Sequence, residues 1–218
     1  MSQSRQGRLA EVLALGPIIP VITIDRLEDA VPLARALAAG GVRLLEITLR
    51  TPAGLAGAEA IIREVPDAVV GIGTVLTPSD LRRAERIGAR FALSPGATPA
   101  LLDAATAAGI PFMPGVATAS ELMEALARGF DTAKFFPATA AGGPAYLKAL
   151  AGPFPHARFC PTGGLTEQNA ADWLALPNVA AVGGSWLTPA AEIAAGQWDR
   201  ITARALRSRE HLGGMAGG

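Results

Sequence analysis

Eight short runs rich in β-branched and aromatic residues alternate along the chain with Ala/Leu-rich segments of helical period, a pattern that few architectures accept. The runs are Ile18–Ile24, Leu44–Leu49, Ala68–Thr74, Phe91–Pro95, Phe112–Val116, Thr132–Pro137, Arg158–Gly163 and Ala180–Trp186. Helical segments near Leu27–Ala39, Ala53–Val65, Pro78–Ile87, Pro99–Ala108, Ser120–Arg128, Pro144–Leu150 and Glu167–Leu174 separate them, with more helical sequence after Pro189. Eight strand–helix units predict an α/β fold of the (β/α)8 TIM-barrel type, here with an extra N-terminal helix. Thr77-Pro78 and Thr98-Pro99 each set a capping hydroxyl before a proline at a first helical position. Gly40, Gly88, Gly109 and Gly129 follow helices and suit left-handed C-caps. An open doubly wound sheet competes with the barrel, but it would usually carry a glycine-rich dinucleotide fingerprint after the first strand, and Asp25-Arg26-Leu27 offers none.

Half of the 218 residues are hydrophobic, enough for one such domain over residues 1–212, with the glycine-rich stretch 213–218 expected to form a flexible C-terminal tail. Lys plus Arg equals Asp plus Glu at 19 each, and neither sign collects in a block. That balance argues against a nucleic-acid or anionic-membrane partner and points to a small molecule. Cys160 is the single cysteine, so no intramolecular disulfide is available and a reducing, cytoplasmic compartment is the default. No cysteine–histidine cluster suggests a metal, and Met1–Leu15 holds no apolar run long enough for a secretory core or a membrane span.

In a barrel, reactive groups gather at the C-terminal strand ends, so polar residues there ask for an explanation. Along Leu44–Arg50 a period of two puts Glu46, Thr48 and Arg50 on one face and Leu45, Ile47 and Leu49 on the other. The polar face then points inward, where charge is costly unless paired or used on a ligand. A purely structural Glu46–Arg50 ion pair is the plainer alternative. The sixth run places Lys134 inside apolar sequence, and the only other lysine is Lys148 in a helical segment. An amine forced into apolar surroundings loses proton affinity, and the free amine attacks carbonyls; a snorkelling or ion-paired lysine is the alternative. Thr162-Gly163-Gly164 and Gly183-Gly184-Ser185, at the ends of the seventh and eighth runs, could cradle a phosphate with backbone N–H groups, or could simply be tight turns. Thr74 could line a ligand site, Cys160 reads as a packing thiol, and His156 and His211 read as surface residues.

Taken together, the motifs resemble the 2-keto-3-deoxy-6-phosphogluconate/4-hydroxy-2-oxoglutarate aldolase family. They run through Gly16–Val21, Gly40-Gly41-Val42, Leu45–Thr51, Gly73-Thr74-Val75, Ser94-Pro95-Gly96, Lys134–Ala138, Phe159–Gly164 and Gly183–Leu187, nearly the whole chain. The resemblance implies that Lys134 is a Schiff-base lysine and Glu46 the general acid/base. It also implies that Arg50, Thr74, Pro95 and Thr162 contact the substrate, and that Gly163, Gly164, Gly184 and Ser185 hold its phosphate. A 2-keto acid phosphate as substrate, a homotrimer, and no metal or other cofactor follow from the same likeness. Thr139 departs from it, since a glutamate commonly follows the Phe-Phe-Pro-Ala run there. Within the barrel class, a sugar-phosphate isomerase or epimerase using Glu46 as base, or a silent metabolite-binding barrel, remain as rivals.

Overall fold

The computed structural model describes residues 5–213. Helix α1 (Arg5–Leu13) leads into β1 (Ile18–Ile22), and strands and helices then alternate: α2 (Leu27–Ala39), β2 (Leu44–Thr48), α3 (Ala53–Glu64), β3 (Val69–Gly73), α4 (Pro78–Arg86), β4 (Phe91–Leu93) and α5 (Pro99–Ala107). The run 112–116 divides into β5 (Phe112–Met113) and β6 (Gly115–Val116), followed by α6 (Ala119–Ala127), β7 (Thr132–Phe135), α7 (Gly143–Leu150) and β8 (Arg158–Pro161). Helix α8 (Ala170–Leu174), β9 (Val182–Gly184), α9 (Ala190–Ala194) and α10 (Trp198–Leu212) complete the order. The expected tail lies outside the described residues apart from Gly213, whose N–H donates to Arg209 O at 2.7 Å.

Every strand pairing is parallel, as crossover helices require. Six strands pair in the order β5-β4-β3-β2-β1-β9 and three in the order β6-β7-β8. Isolated bridges Phe159↔Val179 and Thr162↔Gly183 tie β8 to the segment around β9. Pro114 explains the division of the fifth run: proline has no N–H to give a ladder, yet its carbonyl still accepts from Lys134 N at 2.8 Å. The result is a curled parallel α/β sheet wrapped by helices. One face of the strands packs on the helices: Leu45 and Ile47 of β2, with Ala133 and Phe135 of β7, belong to the main apolar core. The other face gathers Ile19, Leu44, Phe91, Leu93, Met113 and Cys160, from both sheets, into one cluster capped by Leu9, Val12 and Leu13 of α1.

Local signals act largely as the sequence predicts. Thr77 accepts from Asp80 N in a reciprocal capping box, and Thr98 accepts from Leu101 N. Gly88 and Gly129 adopt φ of 81°. Gly40 and Gly109 do not take the expected left-handed caps; after α2 that conformation falls to Gly41 (φ 79°). At Gly40 the requirement is close approach instead, since a Cβ there would stand 2.5 Å from the Ala205 Cβ of α10. Gly109 gives its N–H to Glu85 Oε1 at 2.7 Å, and a Cβ would crowd the same oxygen. Helix α8 is shorter than the predicted 167–174, because Thr166 and Asn169 close a turn: Thr166 N donates to Asn169 Oδ1 at 2.9 Å and Asn169 N to Thr166 Oγ1 at 3.3 Å.

Candidate active site

Alternation along β2 turns Glu46 inward, and alternation along β7 does the same for Lys134. Lys134 Nζ donates to Glu46 Oε1 at 2.8 Å, and the two side chains are 4% and 2% exposed. Removing both groups from water strengthens their attraction and makes each costly without the other. The Phe136 ring centroid lies 5.7 Å from Nζ, within cation–π range. Two small residues and a thiol border the pair. Gly115 and Cys160 are the Cα partners of Lys134 on either side, and a Cβ on Gly73 would overlap the Glu46 carboxylate. Burial pushes the Cys160 thiol up to about 12; Lys134 draws it down and Glu46 pushes it up. The thiol is therefore an unionised packing group beside the amine, as the sequence suggests.

Glu46 pairs with Lys134 and not with Arg50. Strand β2 ends at Thr48, so Arg50 sits in the following turn and is exposed, off the inward face that strict alternation assigned to it. That turn is tightly held. Thr48 Oγ1 donates to Ile22 O at 2.9 Å, Leu49 N to Gly73 O at 3.0 Å, and Thr51 Oγ1 to Ile24 O. Thr48 is thus a tie between β2 and β1, and Arg50 lies in the turn just past the end of β2.

The neighbouring strand ends bring further expected residues to the same rim. Thr74 follows β3 with φ of 60°, a left-handed conformation that a β-branched residue adopts only when its surroundings impose it. Val75 N, donating to Leu93 O at 3.2 Å, anchors that bend. Pro95 is half-buried, and its carbonyl occupies the space where a side chain on Gly115 would begin. Ser94, fully buried, accepts from Gly115 N at 3.1 Å; the sequence reading gave this hydroxyl no role.

Thr162 is buried at the bridge to Gly183, where a Cβ on Gly183 would overlap its Oγ1. Gly163 (φ 100°) and Gly164 (φ 79°) make two successive left-handed steps open only to glycine. Thr139 N donates to Gly163 O at 3.0 Å, and the Thr139 side chain packs on Gly164. Gly184 is buried and Ser185 exposed beside it. The two glycine turns therefore abut across the Thr162–Gly183 bridge. A cavity of about 1040 Å³ opens at the opposite ends of the strands, near Leu13, Arg43, Arg158 and Arg209, and none of the expected site residues lines it. Among the described residues, no group of three or more His, Cys, Asp or Glu side chains is placed to hold a metal ion.

A buried amine hydrogen-bonded to a buried carboxylate, inside the curled sheet of a parallel α/β fold, suits covalent carbonyl chemistry, and the class of protein so defined is the lysine-dependent carbon–carbon lyases. Comparison with known proteins sharpens this. The family model described as KDPG and KHG aldolase matches residues 9–204. The KHG/KDPG aldolase of Escherichia coli K12 is 52% identical over 199 residues, covering 91% of this chain and 93% of its own. A Legionella pneumophila KDPG aldolase, solved with pyruvate captured at low pH as a covalent carbinolamine intermediate, superposes with TM-score 0.89 at 50% identity, covering 91% of this chain and 97% of that one. The Zymomonas mobilis ZM4 2-keto-3-deoxy-6-phosphogluconate aldolase, solved with 3-phosphoglycerate, gives TM-score 0.87 at 43% identity, covering 94% and 96%. The chain belongs to the KDPG and KHG aldolase family.

Proposed function

We propose that the chain cleaves 2-keto-3-deoxy-6-phosphogluconate to pyruvate and glyceraldehyde 3-phosphate through an imine on Lys134. The observation that carries this reading is the 2.8 Å hydrogen bond from Lys134 Nζ to Glu46 Oε1 inside the curled sheet. Proton transfer along that bond frees the lysine lone pair, which adds to the C2 ketone. Glu46 returns a proton to the carbinolamine hydroxyl, water leaves, and an iminium remains. Glu46 then takes the C4 hydroxyl proton; the C3–C4 bond breaks, its electron pair flows into the iminium, and the aldehyde departs. Protonation of the enamine at C3 and hydrolysis release pyruvate and restore the amine.

Arg50 holds the substrate carboxylate, whose two oxygens match a guanidinium fork. Thr74 and Pro95 flank the keto-acid end, and Thr162 stands near C4. The N–H groups of Gly163, Gly164, Gly184 and Ser185 receive the phosphate. Support for a phosphate end comes from the abutting glycine turns and from the phosphorylated three-carbon acid in the Zymomonas structure. The name of the Escherichia coli relative favours 4-hydroxy-2-oxoglutarate, giving pyruvate and glyoxylate, as a second substrate. The C4 epimer, 2-keto-3-deoxy-6-phosphogalactonate, is the alternative that direct comparison of cleavage rates decides.

The same reading takes residues 1–212 as one domain and the two sheets as arcs of a single (β/α)8 barrel. Contiguity of β5 and β6 along the chain supports joining one pair of edges, and the β8–β9 bridges support joining the other. A homotrimer acting without a metal or other cofactor belongs to the proposal through the family resemblance, and a cytoplasmic location through the single cysteine. No helix among the described residues is long and apolar enough to cross a membrane. Sedimentation velocity tests the trimer.

Incubation with pyruvate and borohydride, followed by peptide mass analysis, tests the chemistry. The expected result is a reduced pyruvyl adduct on Lys134. An isomerase, an epimerase or a silent binding barrel leaves that lysine unlabelled, and such a result overturns the proposal.

A further inference from the structure

Helix α10 buries Ile201, Ala205, Ser208 and Leu212, and Ser208 is the one polar side chain among them. An alanine would serve the packing as well, and a hydroxyl taken fully out of water is costly unless it is hydrogen-bonded. Ser208 is bonded on both sides. Its Oγ accepts from Trp186 Nε1 at 3.3 Å and donates to Glu167 Oε1 at 3.0 Å.

These partners belong to the two glycine turns. Trp186 follows Gly184-Ser185, and its ring lies so close to Gly184 that a Cβ there would overlap it; the ring position therefore fixes the path of that backbone. Glu167 belongs to the turn that starts at Gly163-Gly164. There Asn169 Nδ2 donates to Gly164 O at 3.3 Å, while Thr166 and Asn169 bond each other. One hydroxyl thus joins both turns to a single helix. That helix is itself seated on the scaffold: Thr202 Oγ1 donates to Ala36 O at 2.9 Å, and Gly40 lets α2 approach Ala205 closely.

We propose that Ser208 is a positioning residue that holds the two turns in mutual register and so sets the preference for phosphorylated over unphosphorylated 2-keto acids. The inference rests on the reading of those turns as the phosphate site. An anion shared between two loops collects its full set of N–H donors only when both loops point at one spot. A shift of a few tenths of an ångström in either loop lengthens bonds from one side. Lys134 and Glu46 stand on β7 and β2, apart from this tie, so the keto-acid end is insensitive to it.

The test compares wild type with Ser208→Ala on 2-keto-3-deoxy-6-phosphogluconate, on 2-keto-3-deoxygluconate, and in borohydride trapping with pyruvate. The expected result is a KM for the phosphorylated substrate raised about three- to tenfold, the reach of one net hydrogen bond, with kcat within about twofold. Trapping of the pyruvate imine stays at the wild-type rate. Trp186→Phe, which keeps a ring against Gly184 but lacks the indole N–H, raises KM by a similar factor, and the double variant adds little because both changes break one chain. Glu167→Gln retains an acceptor and stays near wild type. An unchanged KM in Ser208→Ala, in an enzyme that prefers the phosphorylated substrate, overturns the positioning role and leaves the phosphate reading standing. Equal losses in KM and in pyruvate trapping also overturn it, because they mark general loosening. A wild-type enzyme that treats the two sugar acids alike defeats the phosphate reading itself, and the inference with it.

Discussion

The Glu46 carboxylate fills the space in which a side chain on Gly73 would begin, so the missing Cβ of one β3 residue sets the position of the acid/base group on β2. The two strands are paired in register, Glu46 opposite Gly71 and Thr48 opposite Gly73, and Gly73 therefore lies two residues beyond the level of Glu46 toward the C-terminal end of β3.

Gly73→Ala accordingly forces Glu46 away from Lys134 or bends β3, since backbone and a short buried side chain have nowhere to retreat. Stability falls by about 1–3 kcal/mol, the usual cost of overpacking, and kcat falls with it because the 2.8 Å bond is broken. Gly16→Ala is the control, as nothing lies within 4 Å of a Cβ there. Denaturant unfolding and steady-state cleavage of both variants check this. Wild-type kcat in Gly73→Ala removes the glycine from the account.

The Lys134–Glu46 pair is sited for chemistry at the expense of stability. Lys134→Met leaves a buried carboxylate without its partner and costs about 3–5 kcal/mol. Replacing both groups, as Lys134→Met with Glu46→Leu, brings stability back to within about 1 kcal/mol of wild type or above it, because two desolvated charges give way to packing groups. Chemical unfolding of the three proteins at one pH measures the difference. If the double variant is no more stable than the single one, the pair is not the isolated unit that its burial suggests.

Much of this site was legible in the sequence because it depends on a period of two. Glu46 inward with Leu45 and Ile47 outward follows from alternation, and a lysine flanked by Ala133 and Phe135 stands out in an apolar run. The partner of Glu46 was not legible. Alternation extended to Arg50 pairs it with Glu46, but the strand stops at Thr48, where hydroxyls from Thr48 and Thr51 clamp the turn onto β1. Lys134 lies 88 residues from Glu46, and only curling of the sheet brings them together. Glycines divide in the same way. Gly88 and Gly129 answer to local cap geometry, whereas Gly40 and Gly73 answer to neighbours that no local pattern names.

Cys160 supplies a pH signature. Burial raises its thiol from an ordinary 9.0 to about 12, so the folded chain holds that proton more tightly than the unfolded one. A raised value contributes stability that is complete below the ordinary thiol range and is lost as pH climbs through it toward about 12. Cys160→Ala therefore lowers stability at neutral pH by leaving a small cavity, but flattens the alkaline limb of the stability curve relative to wild type. Unfolding midpoints across that alkaline window check the slope, and parallel curves for the two proteins would sink the assignment. In the folded wild type the thiol also resists alkylation at pH values where the unfolded chain reacts.

Lys134→Arg keeps a cation beside Glu46 but abolishes turnover, because a guanidinium stays protonated and forms no imine with a ketone. Glu46→Gln keeps a hydrogen-bond acceptor for Lys134 but is neither acid nor base near neutral pH, and loses on the order of 10²–10⁴ in kcat by the usual worth of acid–base catalysis. The two variants separate in trapping. Borohydride with pyruvate labels Glu46→Gln slowly but at the same lysine, and leaves Lys134→Arg unlabelled, because the carboxylate moves protons while the amine makes the bond. Turnover by Lys134→Arg within about tenfold of wild type is incompatible with a route through an imine on Lys134.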